Sequence, residues 1–279
     1  MPDPDTPPGL AERLAKQPED HKYGHGHALI LCGGPGRGGA ARMAARGALR
    51  IGAGLVTLGV PPAAQQENAT RLDAIMLRRV ADAAALTELL QDTRLNAVCI
   101  GPGFGLSDDH ADLVAAALAA SRATVLDADA LTLLSRDADL FGTLHDRCVL
   151  TPHAGEFARL FPDIADRVED RAEATRAAAA RAGCTVLLKG AVTVIADPDG
   201  TTATHRAEGA HAAPWLATAG AGDVLAGFIA GLLARGNSPR QAAEDAAWLH
   251  AACARAFGPG LIAEDLPDTL PRVFRTLGL

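Results

Sequence analysis

The chain has 279 residues, of which 48% are hydrophobic and 21% charged, and its formal net charge is −7. The apolar content is enough for a substantial core and rules out an intrinsically disordered chain. The acidic balance and an aromatic content of only 4% exclude a basic, base-stacking surface for nucleic acid. Small anionic ligands are still allowed, because backbone amides bind them without any net positive charge.

The amino-terminal segment differs in composition from the rest of the chain. It is rich in Pro and charged residues, so we predict a leader over residues 1–20, loosely ordered or forming one short helix, and a single domain over residues 21–279. No signal peptide and no apolar segment long enough to span a bilayer is present, which predicts a cytoplasmic protein without a membrane partner. Five separated cysteines without a Cys-x-x-Cys pair indicate reduced thiols in the core: Cys32, Cys99, Cys148, Cys184 and Cys253.

From residue 27 onward, apolar strand-like runs alternate with Ala-rich stretches of helical spacing. Strands are predicted at residues 28–32, 55–60, 97–100, 124–126, 148–150, 186–188 and 192–196. Helices are predicted at residues 40–51, 83–90, 109–120, 170–182, 222–235 and 239–257, and from about residue 266. Strands this apolar, separated by helices, indicate a mostly parallel sheet covered on both faces, with a tight hairpin at residues 189–191.

The segment with the most chemical information is Ala-Gly-Ala-Gly-Asp at residues 219–223, which leads directly into an apolar helix. A helix amino terminus built from small residues is an anion site, because its first amides lack intrahelical partners and the macrodipole is positive there. Gly220, Ala221 and Gly222 would form that anion hole. Asp223 is then either a capping carboxylate or a general base, and the run of small residues favours the base.

Thr-Pro-His-Ala-Gly-Glu at residues 151–156 lies between a predicted strand and a helix, at the sheet edge where α/β folds bind ligands. His153 is a candidate for holding a polar group of a substrate, and Glu156 for orienting water bound to Mg²⁺. Taken alone, the segment favours the structural interpretation, a loop His and a Glu at a helix amino terminus that interacts with the helix dipole. The turn at Lys189 and Gly190 either presents backbone to a nucleotide or is a plain hairpin with a solvent-facing Lys.

Three further strand ends carry glycines or carboxylates, at residues 33–41, 101–105 and 127–131. The first is neither a dinucleotide fingerprint, since no acidic residue ends the second strand, nor a P-loop, since no Gly-Lys-Ser/Thr follows. Asp127 and Asp129 are either helix caps or residues that face the site. Together, five such strand ends on one edge of a sheet indicate a ligand site.

The ordered set of motifs resembles the ADP-dependent NAD(P)H-hydrate dehydratases, a family of the ribokinase-like superfamily, over roughly residues 21 to 276. The matching segments are His-Lys-Tyr-Gly-His at 21–25, residues 38–41, 50–58, 101–105, 127–131, 151–156 and 188–195, and Leu-Ala-Thr-Ala-Gly-Ala-Gly-Asp-Val-Leu-Ala-Gly at 216–227. Two positions depart from the family pattern: Ala154 stands for a frequent Pro, and Ala221 for a Thr or Ser whose hydroxyl could contact phosphate. Some relatives carry an epimerase domain in front, which a leader of twenty residues cannot encode.

The resemblance implies a three-layer α/β/α ribokinase-like fold, and a lyase that repairs nicotinamide nucleotides. NADH or NADPH hydrated at C6 would be phosphorylated on that hydroxyl by ADP, with Mg²⁺, and loss of phosphate would restore the ring, leaving AMP and phosphate. Asp223 would be the catalytic base. By analogy the hydrated dinucleotide would contact Ala40, Gly103, His153 and Asp223. The adenylate would contact Lys189, Gly190, Ala191, Val192, Thr193 and Gly222.

Two other functions compete with this one. A small-molecule kinase of the same superfamily, acting on a vitamin precursor such as hydroxyethylthiazole, would share the anion hole and Asp223 but yield a stable phosphorylated product. A non-catalytic nucleotide-binding protein would keep the fold without needing the carboxylate of Asp223. The resemblance also implies a homo-oligomer, with a tetramer as one form.

Overall fold

A computed structural model describes residues 6–279 as a layered α/β structure around one nine-stranded sheet. The strands are β1 His27–Leu31, β2 Leu55–Val60, β3 Met76–Arg79, β4 Leu95–Ile100, β5 Ala123–Leu126, β6 Cys148–Leu150, β7 Thr185–Leu188, β8 Val192–Ala196 and β9 Thr202–Arg206. Their order across the sheet is β3-β2-β1-β4-β5-β6-β7-β8-β9. All neighbours from β3 to β7 are parallel, and β7-β8-β9 are antiparallel, which confirms the mostly parallel sheet and the hairpin at residues 189–191.

The seven predicted strands are all present, and two further strands lie at the outer edges of the sheet. The prediction missed β3 because Met76–Arg79 is short and ends in two arginines, and three of its four residues are exposed. It missed β9 because Thr202–Arg206 is polar and only partly buried. Edge strands carry one solvated side, so neither shows the continuous apolar run that identifies a central parallel strand.

Thirteen α-helices lie within the described residues. They are α1 Leu10–Leu14, α2 Gly38–Arg50, α3 Gln65–Ala69, α4 Ala83–Leu89, α5 Asp108–Ala119, α6 Ala128–Arg136, α7 Ala138–Phe141, α8 Ala154–Leu160, α9 Pro162–Arg167, α10 Arg171–Ala182, α11 Ala221–Ala234, α12 Pro239–Phe257 and α13 Asp265–Thr276. Alternate residues of the strands point to opposite faces of the sheet. One face packs on α2, α11, α12 and α13, the other on α4, α5, α6, α8 and α10, so the three-layer fold is confirmed.

The helices α2 and α11 cross in close contact beneath the sheet, and both begin at the carboxyl edge of the parallel strands. A Cβ added at Gly227 would overlap the carbonyl oxygen of Ala44, and one at Gly231 would lie 2.6 Å from the carbonyl oxygen of Ala48. Ala44 and Ala48 of α2 meet Gly227 and Gly231 of α11 in the same order along the chain, so the two helices run in the same direction. Their amino termini therefore lie side by side.

The short helix α1 lies within the predicted leader and is tied to the body of the molecule. The guanidinium of Arg13 donates two hydrogen bonds, of 2.8 and 2.7 Å, to the buried carboxylate of Asp245 on α12. The division into a leader and a domain stays a prediction, and residues 1–5 lie outside the described part of the chain. Within residues 6–279 no helix is both long and apolar enough to cross a membrane. All five cysteines are free and buried, as predicted.

Candidate active site

Asp223 lies in the first turn of α11, at the carboxyl edge of the parallel sheet. The helix begins at Ala221 after Gly220, whose φ of +88° is in the left-handed region that glycine adopts without strain. No side chain caps this helix amino terminus. The amide of Ala221 donates a long hydrogen bond of 3.4 Å to the carbonyl oxygen of Thr218, whereas the next amides, of Gly222 and Asp223, are available to an anion, and Gly222 adds no side chain that would keep one away.

Three other carboxylates, Asp127, Asp129 and Glu156, surround Asp223, and the ammonium of Lys189 lies among them. Lys189 Nζ is 2.7 Å from Asp127 Oδ1 and 3.7 Å from Glu156 Oε2, and only 19% of its side chain is exposed. Lys189 is thus an internal counterion rather than the solvent-facing residue of a plain hairpin. A Cβ built on Gly222 would lie 3.6 Å from the Lys189 ammonium, so the cation also borders the anion hole.

Asp127 and Asp129 face the site and do not serve as side-chain caps of the helix that follows them. Asp127 is 2% exposed, and its Oδ1 accepts hydrogen bonds from Lys189 Nζ and, at 2.8 Å, from Thr151 Oγ1. Although Asp127 precedes α6, its side chain makes no capping bond. Asp129 accepts a hydrogen bond of 2.9 Å from the amide of Gly105, which joins the carboxylate cluster to the glycine turn after β4.

Burial raises the pKa of Asp223 to about 6, and the neighbouring carboxylates of Asp127, Asp129 and Glu156 act in the same direction, while Lys189 lowers it. A carboxyl group with this pKa is ionised near neutral pH and still basic enough to accept a proton. None of the described residues donates a hydrogen bond to its carboxylate, in contrast to Asp127. Asp223 is therefore the acidic group of the cluster that is suited to take a proton from a ligand.

A cavity of about 510 Å³ lies on the β7-β8-β9 side of Asp223. Among its lining residues are Lys189, Gly190, Ala191, Thr193 and Gly222, the predicted adenylate contacts, while Val192 is not among them. Its other walls are mostly apolar, from Ala213, Pro214, Leu216, Leu225 and Ala251. A size above 300 Å³ with apolar walls and a few polar groups is typical of a small-molecule site.

The hairpin that edges this cavity is braced by two side chains. Thr193 Oγ1 donates a hydrogen bond of 3.0 Å to the carbonyl oxygen of Gly190, and the guanidinium of Arg171 donates to the carbonyl oxygens of Leu188 and Lys189. The loop is therefore held in one conformation, with Gly190 and Ala191 in the cavity wall.

His250 on α12 is a site residue that sequence reasoning missed. Its Nε2 is 2.8 Å from the carbonyl oxygen of Ala221, and burial lowers its pKa to about 4. The imidazole is therefore neutral at pH 7 and donates its Nε2 proton to that carbonyl, which fixes the first turn of α11. The sequence gives no signal for this hydrogen bond, because His250 is a single His in an Ala-rich helix and its partner lies 29 residues earlier in the chain.

Of the residues predicted to contact the dinucleotide, Ala40 and Gly103 lie on the side of Asp223 that is away from the 510 Å³ cavity, and His153 lies at the edge of the site. A Cβ on Gly103 would lie 3.3 Å from the Cβ of Ala40, so these two residues are adjacent, and φ of +60° at Gly103 requires the left-handed conformation. Helix α2, which contains Ala40, begins beside the carboxylate of Glu67, which accepts a hydrogen bond of 2.7 Å from the amide of Gly36 and a further one from the amide of Gly38. The site thus has two helix amino termini next to each other, and a carboxylate side chain already binds amides at the start of α2.

His153 and Glu156 form a reciprocal capping box at the start of α8. His153 Nδ1 accepts hydrogen bonds from the amides of Gly155 and Glu156, and Glu156 Oε2 accepts one of 2.8 Å from the amide of His153. The local structural interpretation of this pair is therefore correct. The second carboxylate oxygen of Glu156, Oε1, lies 3.5 Å from His153 Nε2, and about half of the His153 side chain remains exposed.

An oxygen donor set of this kind suits Mg²⁺, which is bound through one or two carboxylates, water and substrate phosphates. Among residues 6–279 no three His, Cys, Asp or Glu side chains converge as a ready-made metal site. An ion beside Glu156 would therefore take most of its ligands from nucleotide phosphates and water.

The mostly parallel sheet with helices on both faces defines an α/β protein with a ribokinase-like fold. In agreement, a ribokinase-like superfamily protein from Enterococcus faecalis superposes with a TM-score of 0.81 at 23% identity, covering 96% of this chain and 93% of the other. The family model described as NAD(P)H-hydrate dehydratase matches residues 28–272. The chain belongs to the NAD(P)H-hydrate dehydratase family.

Two named relatives agree with this membership. The bifunctional NAD(P)H-hydrate repair enzyme Nnr of Moorella thermoacetica is 39% identical over 277 residues, covering 94% of this chain and 52% of the relative. The chain thus spans about half the length of that curated relative. An ADP/ATP-dependent NAD(P)H-hydrate dehydratase from Bacillus subtilis, co-crystallised with ATP and Mg²⁺, has a TM-score of 0.78 at 29% identity, with 98% and 99% of the two chains covered.

Proposed function

We propose that this chain dehydrates hydrated NADH and NADPH at the expense of ADP, regenerating the reduced dinucleotide and releasing AMP and phosphate. Family membership supports the reaction. The observation that carries it in this molecule is the carboxylate of Asp223 at the uncapped start of α11, between the 510 Å³ cavity, which Gly222 lines, and the neighbouring start of α2. Two phosphorylated molecules can therefore meet at one base.

The first chemical step is phosphoryl transfer. Asp223 takes the proton of the C6 hydroxyl, whose oxygen forms a bond to the β-phosphorus of ADP while the bond to the bridging oxygen breaks and AMP leaves. The anion hole at Gly220, Ala221 and Gly222 would stabilise the developing charge of the transferring group through its backbone amides, while Lys189 adds a cation at the rim. A bound Mg²⁺, held near Glu156, would supply further neutralisation of the phosphates.

The second step is elimination. The phosphate leaves C6 with the electron pair of the C–O bond, and loss of the proton from the adjacent ring carbon restores the double bond. Phosphorylation matters because hydroxide is a poor leaving group and phosphate a good one. The net change converts the hydrate and ADP into the dinucleotide, AMP, phosphate and a proton.

The binding roles divide along the sheet. We assign the adenylate to the braced hairpin, with Lys189, Gly190, Ala191, Val192 and Thr193, and to Gly222 at the mouth of the 510 Å³ cavity. We assign the hydrated dinucleotide to Ala40, Gly103, His153 and Asp223. Ala221 has no hydroxyl, so the anion hole of this chain relies on backbone donors and Lys189.

The direct test is recovery of the reduced-nicotinamide absorbance when the purified protein is mixed with hydrated NADH, Mg²⁺ and ADP or ATP in parallel. We expect recovery with ADP and one AMP formed per NADH regenerated. A stable phosphorylated alcohol with no recovery of absorbance would instead identify a kinase of the hydroxyethylthiazole type. If neither product forms and an Asp223→Asn variant binds ADP as tightly as the parent, the chain is a non-catalytic binding protein.

The pH dependence of turnover should report the pKa of Asp223. Because that pKa is raised to about 6, the base is protonated below pH 6 and ionised above it. We expect kcat/KM to be level near pH 8 and to fall about tenfold per pH unit below pH 6, since only the ionised form accepts the proton. A profile that stays level down to pH 4.5, recorded with an ADP concentration that saturates at each pH, would contradict the assignment of Asp223.

A cytoplasmic location and a homo-oligomeric state, with a tetramer as the form the resemblance implies, remain part of this proposal. Size-exclusion chromatography with light scattering measures the second directly.

A further inference from the structure

A second cavity, of about 260 Å³, lies at the same edge of the sheet beyond the carboxyl ends of β1, β2, β3 and β4. Its walls are largely apolar, and they include Gly34, Gly59, Pro61, Ala81, Phe104 and His110. The rings of Phe104 and His110 meet edge to face with their centroids 4.9 Å apart. None of the residues assigned above to the dinucleotide or the adenylate lines this cavity.

The strand order fixes where the cavity lies relative to Asp223. The carboxylate cluster follows β5, and the part of the cavity beyond β1 and β2 lies two to three strand spacings away, about 10 to 14 Å. The adenylate cavity lies the other way, at β7, β8 and β9. When ADP fills the adenylate cavity, a dinucleotide whose nicotinamide ring reacts at Asp223 has the direction of β1 and β2 open to it along the same edge of the sheet.

The path between Asp223 and the second cavity passes the start of α2, where the Glu67 carboxylate accepts a hydrogen bond from the amide of Gly36 and leaves the amides of Gly39 and Ala40 to a ligand. The glycine loop before α2 packs tightly on the turn after β4, since a Cβ on Gly33 would overlap the carbonyl oxygen of Gly103. A Cβ on Gly34 would meet nothing within 4 Å, so the loop leaves open space on the cavity side. A diphosphate held at the amides of Gly39 and Ala40 would have the reacting ring on one side and this cavity on the other.

We propose that this second cavity binds the adenosine half of the hydrated dinucleotide. The inference rests on the proposed function and adds to it the subsite that distinguishes a dinucleotide from a mononucleotide. The flat purine matches apolar walls that end in the Phe104–His110 pair, and the ribose lies at the mouth. Binding energy from this remote half is available to hold the reacting ring at Asp223.

The test compares two substrates, hydrated NADH and hydrated reduced nicotinamide mononucleotide, which lacks the adenosine half. In the parent protein we expect kcat/KM to be at least about tenfold higher for the dinucleotide. Ala81→Leu fills the cavity from an exposed wall residue. This variant should lower kcat/KM for the dinucleotide about tenfold, while kcat/KM for the mononucleotide and KM for ADP stay unchanged.

Ala84→Leu is the matched control, because it adds the same side chain at an exposed position three residues further along, outside the cavity lining. It should leave both substrates unaffected, and thermal melts of both variants check that they fold. Equal losses for both substrates with Ala81→Leu, or no loss for either, would overturn the proposal.

Binding of unmodified NADH, with AMP saturating the adenylate cavity, separates this inference from the proposed function. If the parent restores neither hydrate, the proposed function fails. A weaker NADH affinity in Ala81→Leu than in Ala84→Leu would then still support the cavity as a dinucleotide subsite, and equal affinities would overturn it.

Asp109 also bears on which hydrated dinucleotide fits. It is exposed at the cavity and carries the only carboxylate among its lining residues, none of which is Lys or Arg. A ribose hydroxyl can donate to this carboxylate, whereas a 2′-phosphate is repelled by it, so hydrated NADH should be preferred over hydrated NADPH.

Asp109→Asn should shift the kcat/KM ratio toward hydrated NADPH about fivefold. Asp112→Asn, an exposed change one turn away, should leave the ratio as it is, and an unchanged ratio in Asp109→Asn would overturn this assignment.

Discussion

Asp223→Asn should lower kcat at least about a thousandfold, because removing a general base of this type removes an activated nucleophile while leaving the substrates bound. Asparagine has the same shape and cannot accept the proton of the C6 hydroxyl. The amides at the start of α11 and the adenylate cavity are unchanged, so the dissociation constant of ADP, measured by calorimetry with Mg²⁺, should stay within about twofold.

The same substitution should leave the fold as stable as the parent or more stable. Burial raises the pKa of Asp223 to about 6 in the folded protein, so the unfolded chain releases this proton more readily. The ionised carboxylate therefore costs stability, a cost that develops as the pH rises from about 4 to 6 and is constant above. Because the residue is partly solvated, we expect the gain in Asp223→Asn at pH 8 to be on the order of 1 kcal/mol.

Asp139→Asn serves as the control for this experiment. Asp139 is an exposed carboxylate in the first turn of α7, outside the site, so its replacement should change neither kcat nor the melting temperature. Turnover above about a tenth of the parent in Asp223→Asn would show that Asp223 is not the base. Loss of ADP binding with little further loss in kcat would assign Asp223 to binding.

The positions of the central strands and of the long helices between them follow from the sequence because each central strand is buried on both faces. Leu55–Val60 and Val192–Ala196 are mostly apolar and lack the alternation of polar and apolar residues seen in half-exposed strands. Such a run is typical of a strand that is buried on both faces of a sheet. The edge strands β3 and β9 are half solvated and had no such pattern. The boundaries of the helices moved by one or two residues, which reflects caps such as Gly220 that only the backbone conformation defines.

The sequence predicts those residues of the candidate site that are neighbours within one short motif. It does not predict roles that depend on a contact between residues far apart in the chain. Asp223 and Gly222 stand in one short segment, so their juxtaposition is local. The pairing of Lys189 with Asp127 joins residues 62 positions apart, and the bond from His250 to Ala221 joins residues 29 apart. The second cavity needed the strand order itself, since β1, β2 and β4 are neighbours only in the folded sheet.

Gly227→Ala should lower the free energy of unfolding by about 3 kcal/mol, although alanine is the better helix former by about 1 kcal/mol. The reason is the crossing of α2 and α11, where the added methyl group would overlap the carbonyl oxygen of Ala44. Backbone cannot yield as a flexible side chain does, so the two helices must separate. Because both helix amino termini border the site, kcat should fall as well.

The glycines of this crossing form a graded series that tests the explanation. A methyl group at Gly231 would lie 2.6 Å from the carbonyl oxygen of Ala48, and one at Gly47 would lie 3.1 Å from that of Val224 and 3.2 Å from the ring of Phe228. The loss measured by urea unfolding should therefore be largest for Gly227→Ala and Gly231→Ala, and below about 1.5 kcal/mol for Gly47→Ala. Gly39→Ala, where the nearest atom is the Arg42 guanidinium at 4.0 Å, is the control and should be neutral or slightly stabilising. Equal stability of the parent and Gly227→Ala would mean that close contact between the helices does not hold the two amino termini together.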